Sequence, residues 1–263
     1  MAVGKTIENR GHVVGFGEEI GLAAKEGRDS FFTWFHGGAD ADTAFVRGQW
    51  DMALHILRPL APYIREPESR TVLEIGHGGG RLLAAASRCF AAATGVDVHD
   101  NNELVLQELA ARGIKNATLV KGDGQSLPLP SDSFDVVYSF VVLQHVERVA
   151  VFDRYVTEAY RVMKPGGVGI LYFGRWCHFS KNRSAACLYL LDRLAAGLRL
   201  WPRGYREIPA RVNEINLLIS PARAARVARG AGFRIQGIGV SRRSIPDGLS
   251  LYGGQHSLLV RKD

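Results

Sequence analysis

Glu74-Ile75-Gly76-His77-Gly78-Gly79-Gly80 is the densest run of chemistry-bearing residues in the chain. Glycines let a backbone turn tightly and approach a ligand, and a helix beginning just after them offers its free N–H groups to something electron-rich. A carboxylate, Glu74, opens the turn. A second, Asp97, stands seventeen residues beyond Gly80, where a carboxylate can accept hydrogen bonds from ribose hydroxyls. This layout suits a nucleotide-type ligand. The dinucleotide pattern GxGxxG, started at Gly76, needs glycine or alanine at position 81, where the chain has Arg81, so NAD(P) is the runner-up ligand.

Other candidates are more scattered. Trp34, His36, Arg175, Trp176, His178 and Tyr189 combine aromatic faces with polar tips, which suits a sugar or another hydroxylated ligand; ordinary lid packing is the favoured reading of any single one. The three cysteines, Cys89, Cys177 and Cys187, form no CxxC or Cys/His metal spacing, and their odd number fits a reduced, cytoplasmic compartment.

The elements that must position these residues alternate along the middle of the chain. TVLEIG (71–76), ATGVDV (93–98), ATLVKGD (117–123), FDVVYSF (134–140) and VGILYF (168–173) read as strands. Helical stretches separate most of them, including RLLAAASRCF, NELVLQELAARG and VERVAVFDRYVTEAYRVM. Such alternation predicts right-handed βαβ units and an α/β, doubly wound, Rossmann-like sheet covered on both faces. SPARAARVARGAGF predicts a helix capped by Ser220 with Pro221 in its first turn. FRIQGIGV and HSLLVR then predict an antiparallel terminal hairpin, making a mostly parallel seven-stranded sheet. Residues 1–70 read as a helical cap. Residues 71–263 read as one domain interrupted at about 174–219 by an insertion, and both extra pieces are expected to form a lid over the carboxyl end of the sheet.

Composition bounds the function. The chain has 263 residues, 46% hydrophobic and 22% charged, enough for one substantial core. No run reaches the roughly 18 to 20 apolar residues of a membrane span. The net charge of +7 is uneven: residues 175–243 carry fourteen Lys/Arg against three acidic residues. That stretch is either a solvated Arg-rich surface or a funnel for an anionic or highly polar substrate. The apolar spacing of residues 186–201 fits a lid helix, with membrane-surface contact as the alternative.

Four ordered motifs resemble the class I S-adenosylmethionine-dependent methyltransferases of the small-molecule O-methylating branch. They are VLEIGHGGGR, GVDVH, KGDGQSLPLPSDSFDVVYSFVVLQHV and YRVMKPGGVGILYF, spanning about residues 71–173. The resemblance implies S-adenosylmethionine as cofactor. It places Glu74 and the loop Gly76, His77, Gly78 and Gly80 at the methionine end, Asp97 at the ribose, Asp123, Gly124 and Gln125 at the adenine, and Ser139 and Phe140 near the transferable methyl. His77 departs from the cysteine or aspartate common at its position. His145, after the fourth strand, becomes the candidate catalytic base, since a neutral imidazole can take a proton from a hydroxyl; the alternative is a packing or helix-capping role. No aspartate stands where metal-using relatives place one at the end of strand four, so a divalent metal is not indicated.

The leading expectation is O-methylation of a hydroxyl on a sugar, oligosaccharide or other polar small molecule. A natural-product aglycone is the nearest alternative acceptor. Nucleic-acid methylation is disfavoured: amino-methylation of DNA bases goes with an NPPY-like turn after strand four, where the chain has YSFV, and for RNA no separate binding module is visible and aromatic stacking residues are sparse among the arginines. A non-catalytic cofactor-binding subunit is disfavoured by the intact motifs. Self-association is left open.

Overall fold

The computed structural model describes residues 15–35, 37–175, 194, 203–241 and 254–263. Strands β1 (Thr71–Ile75), β2 (Ala92–Asp97), β3 (Ala117–Lys121), β4 (Phe134–Ser139) and β5 (Met163–Phe173) lie parallel in the order β3-β2-β1-β4-β5. Because β1 pairs with both β2 and β4, the winding reverses there, and the crevice beyond the carboxyl ends of these strands is the natural ligand site. Strand β9 (His256–Arg261) pairs antiparallel with β5, and β8 (Arg234–Val240) with β9, completing the seven-stranded sheet. The doubly wound, Rossmann-like architecture and its terminal hairpin are as expected.

Strand alternation sends neighbouring residues to opposite faces. Leu73, Val137 and Leu171 meet α7 (Val149–Val162) through Phe152 and Val156, and α8 (Pro221–Ala231) through Ala224 and Ala228. Val72, Val136 and Ile170 meet α5 (Arg81–Ser87) and α6 (Asn102–Ala111) through Leu83, Val105 and Leu109. Helix α8 starts as its sequence predicts: Ser220 Oγ accepts from Arg223 N–H, Pro221 occupies the first turn, and Gly232 ends the helix with φ 109°.

The amino-terminal helices α1 (Phe16–Glu26), α2 (Arg28–Phe35) and α3 (Ala41–Asp51) pack on the α5 side. Helix α3 continues through a π-helical turn, Met52–Leu57, into the short α4 (Arg58–Leu60). Phe31, Phe32, Met52, Ile56 and Leu60 from this region are fully buried. At about 1.5–3 kcal/mol for each side chain removed from water, this segment is integral to the core.

Of the insertion expected at about 174–219, residues 174, 175, 194 and 203–219 are described. Residues 203–219 contain the short strands β6 (Tyr205–Glu207) and β7 (Leu217–Ile219), paired antiparallel. Leu217 and Ile219 enter the main core, and Ile219 N–H donates to the Gly174 carbonyl. The chain thus returns to the sheet before α8 begins. Among the described residues, no helix is long and apolar enough to cross a membrane.

Candidate active site

The chain leaves β1 through Gly76–Gly80 and enters α5. Gly76 has φ 83°, and a Cβ there would collide with the Val142 side chain, so glycine is required on both counts. Gly78 is held on both sides of its backbone. Its N–H donates to Asp97 Oδ2 at 2.7 Å, and its carbonyl faces His77 Nδ1 at 2.9 Å and His99 Nε2 at 3.1 Å. Asn101 N–H donates to His99 Nδ1, so the His99 proton sits on Nε2 and points at Gly78. Burial pushes the His77 pKa down to about 4, leaving the ring neutral near pH 7.

His77, Asp97 and His99 are the one group among the described residues spaced as metal ligands could be. Their hydrogen bonds give a different account. Both imidazoles direct a nitrogen at the Gly78 carbonyl and Asp97 accepts its N–H, an arrangement that fixes the loop.

A cavity of about 270 Å³ opens above this loop. Its polar side includes Glu74, Arg81, Asp97 and the Gly76–Gly79 backbone; Phe16, Ile20, Trp34, Phe35, Phe140 and Val141 supply an apolar wall. Glu74 is buried, accepts from Tyr138 O–H at 3.0 Å, and has its pKa pushed up to about 8 by burial. Arg81 donates from Nη1 to Asp51 Oδ2 at 2.6 Å, anchoring α5 to the end of α3. His55, one turn on from Asp51, stacks on Phe140 with ring centres 4.9 Å apart and planes 20° apart.

His145 lines the same cavity beside Phe16, whose ring centre lies 5.6 Å away. Its Nδ1 is 2.6 Å from the Glu214 carbonyl oxygen, which can only accept, so Nδ1 carries the proton in the neutral ring. Nε2 is left as a lone pair, with Gln144 Nε2 at 3.2 Å. Burial holds the imidazole below its ordinary pKa, against the upward pull of the Glu214 and Val141 backbone. Val141 itself has φ 61°, a left-handed conformation costly for a β-branched residue and characteristic of places where backbone is held for a purpose.

Of the residues singled out in the sequence, Glu74, Gly76, His77, Gly78, Asp97, Phe140, Trp34 and His145 all border this cavity. Gly80 lies just behind, starting α5 with φ 80°. Ser139 is fully buried and donates to the Ile75 carbonyl at 3.1 Å, joining β4 to β1. Asp123 is in the turn after β3 and accepts from the N–H groups of Gln125 and Ser126 at 2.8 and 2.7 Å. Burial works against that carboxylate, but these donors outweigh it and keep its pKa below the usual value. Gln125 accepts from Arg154 at 3.0 Å, and Gly122, rather than Asp123, Gly124 or Gln125, lines the cavity. Arg175 is buried and bridges to Ile219 away from the cavity lining. His36, Trp176, His178 and Tyr189 lie outside the described residues. The lining residues Phe16, Phe35, Arg81, Tyr155 and Asn213 were not singled out as site residues. Arg81 had a local signal, standing directly after the glycine run; the others had none separable from packing.

Residues 73–171 match the family model described as a methyltransferase domain. An uncharacterised methyltransferase of Mycobacterium bovis (strain BCG / Pasteur 1173P2) is 31% identical over 195 residues, covering 73% of this chain and 70% of that protein. The chain belongs to the class I S-adenosylmethionine-dependent methyltransferases. A ubiquinone biosynthesis O-methyltransferase of Paramagnetospirillum magneticum is 28% identical over 173 residues, covering 66% of this methyltransferase and 63% of the relative. The crystal structure of a SAM-dependent methyltransferase from Aquifex aeolicus has the same fold, with TM-score 0.53 and 14% identity over 85% of this chain and 98% of that one.

S-adenosylmethionine is therefore the cofactor of this methyltransferase, and the cavity fits it chemically. The loop at Gly76 admits no side chain, while Glu74 offers a carboxyl and Arg81 a guanidinium at one end and Asp97 a carboxylate further along.

Proposed function

We propose that this methyltransferase methylates a hydroxyl oxygen of a small molecule, with His145 accepting the hydroxyl proton. The observation that carries the reading is the His145 Nδ1 contact with the Glu214 carbonyl, which leaves Nε2 basic in a cavity that the cofactor loop also lines. When bound, S-adenosylmethionine supplies a methyl carbon on a positively charged sulfur, open to attack by an oxygen lone pair.

Glu74 and the Gly76, His77, Gly78 and Gly80 loop would hold the methionine end, with Arg81 suited to its carboxylate. Asp97 would turn from the Gly78 N–H toward the ribose. Asp123, Gly124 and Gln125 would flank the adenine from behind Gly122. Phe140, which borders the cavity, would pack near the methyl, whereas the Ser139 bond to Ile75 gives that residue a scaffold role. Phe16, Trp34 and Phe35 would exclude water and align the acceptor, and such alignment contributes much of the rate in a transfer of this kind.

Trp34 supports the saccharide acceptor, since an aromatic face stacks on a sugar ring. The continuous apolar wall from Phe16 to Val141 favours the aglycone alternative, a flat apolar body presenting its hydroxyl to His145. Incubation with methyl-labelled cofactor and two probe sets, methyl glycosides and polyphenols, tests both. Label on an oxygen of either set supports O-methylation and chooses between them; label confined to nitrogen-bearing or RNA controls overturns it.

A further inference from the structure

His145 Nε2 has to exist in two states during proton transfer, bare before and N–H after. A fixed donor or a fixed acceptor facing it would oppose one of them. The group that faces it is the side-chain amide of Gln144, which has one donor end and one acceptor end.

The resting orientation of that amide follows from its two neighbours. Gln144 Nε2 is 3.2 Å from His145 Nε2, and Gln144 Oε1 accepts from Gln255 Nε2 at 3.0 Å. The Gln144 backbone is also held, its carbonyl accepting from Asn216 N–H at 2.8 Å and Leu217 N–H at 3.1 Å. Asn216 Nδ2 donates to the His145 carbonyl at 2.9 Å. These bonds hold the backbone of Gln144, and a half-turn about its last side-chain torsion exchanges the two ends of the amide in place. Gln255 is buried, and its Oε1 has no hydrogen-bond partner among the described residues. If Gln255 reversed its amide, one end would still meet Gln144 and the other would still lack a partner. Turning together, the pair keeps its mutual hydrogen bond in both orientations.

We propose that Gln144 and Gln255 form a reversible amide pair that presents N–H to neutral His145 and C=O to its protonated form. This rests on the reading of His145 as the base. The acceptor hydroxyl takes the place of the Gln144 N–H at the single lone pair of Nε2; its O–H bond breaks, the oxygen keeps the electron pair that attacks the methyl carbon, and the proton forms the new Nε2–H bond. Gln144 then turns Oε1 toward that N–H, and its Nε2 donates to the Oε1 of a reversed Gln255. Gln144 is a positioning residue; the proton stays on His145. Hydrogen bonds to charged groups are the stronger ones, so the pair favours the imidazolium more than the neutral ring. The other groups facing the ring are the Glu214 and Val141 backbone and the Phe16 ring, none of which can reverse in this way.

The test is an NMR titration of His145 in the full chain, which needs no acceptor. The Gln144 side-chain amide signals should shift with the same midpoint as the His145 ring. Gln144→Met should lower that midpoint by about half a pH unit or more. Gln255→Glu, whose carboxylate can only accept once ionised, should hold Gln144 Oε1 toward His145 and raise the midpoint by about one unit. In the Gln144→Met background most of that rise should vanish, separating the amide route from the charge of the new carboxylate. S-adenosylhomocysteine binding near the wild-type affinity verifies folding, and if Gln144→Met does not fold, the Gln255→Glu shift and the wild-type Gln144 signals decide the matter. Unmoved Gln144 signals, or an unmoved midpoint in Gln255→Glu, overturn the proposal. Failure of methyl transfer to hydroxylated probes, with these shifts present, would instead strike the assignment of His145 as base.

Discussion

His145 Nδ1 lies 2.6 Å from the backbone oxygen of Glu214, joining the loop after β4 to the segment that leads into β7. This bond sets the tautomer before any ligand arrives. Replacing His145 with alanine should lower kcat by about 10²- to 10⁴-fold, the usual contribution of a positioned acid or base. Calorimetric affinity for S-adenosylhomocysteine should stay near wild type. Wild-type turnover in the variant would show that alignment alone drives transfer.

The activity profile should reflect the lowered His145 pKa. Only the neutral ring can take a proton, so kcat/KM should be flat above about 6.5 and fall as pH drops through the folded value, which burial places below the ordinary 6.5. A loss of activity centred above 6.5 would contradict the burial argument.

Stability should carry a separate acid dependence from His77. Its folded pKa is about 4 against an ordinary value of 6.5, so the unfolded chain binds the proton first as pH falls. The stability contributed by neutral His77 is complete above about 6.5 and is lost progressively toward pH 4. Thermal melts of His77→Phe should show a shallower acid slope than wild type between those limits.

Gly76→Ala combines a strained φ of 83° with a clash against Val142. We expect it to cost about 1–3 kcal/mol in chemical denaturation. S-adenosylhomocysteine binding should weaken further than that loss explains, because the displaced Val142 also borders the cavity. An alanine variant binding as tightly as wild type would remove the loop from the proposed cofactor contacts.

Asp51→Ala removes a fully buried carboxylate that receives Arg81 at 2.6 Å. Breaking such a pair leaves a buried guanidinium without this partner, so destabilisation of about 3–5 kcal/mol is expected from equilibrium unfolding. Replacing both residues, as Asp51→Ala with Arg81→Met, should recover part of it. A single variant near wild-type stability would mean that the other contacts of Arg81 suffice.

Strands β1 to β5 were legible because each is a short β-branched or apolar run separated from the next by turn residues or an amphipathic helix. The glycine loop was legible because glycine in that density has few other uses. The remainder depends on long-range meetings. Tyr155 occupies one face of α7 that a moment of hydrophobicity cannot divide into core and cavity. Gln144 and Gln255 meet across 111 positions of sequence, and neither flanking pattern announces the partner. One arginine of the basic stretch is tied into the fold, Arg223 reaching Asp153 at 2.6 Å and lying over the Tyr205 ring, whereas Arg226 and Arg229 on the same helix are exposed. Strand β7 was hidden because LLI is too short to separate from a loop, as is its antiparallel partner β6, YRE.

The place of β9 has a bearing on how the protein is made. This late stretch of sequence lies inside the sheet, between β5 and β8, and Gln255 immediately precedes it. A nascent chain that has emerged only as far as β8 would show β5 as a bare, apolar edge, the kind of surface on which partly folded proteins aggregate. The sheet therefore closes only once β9 has joined it, and the same event brings Gln255 against Gln144. Chains stopped at residue 254 should collect in the insoluble fraction, so that a molecule with the cofactor loop formed but the surroundings of His145 unfinished would rarely persist in solution.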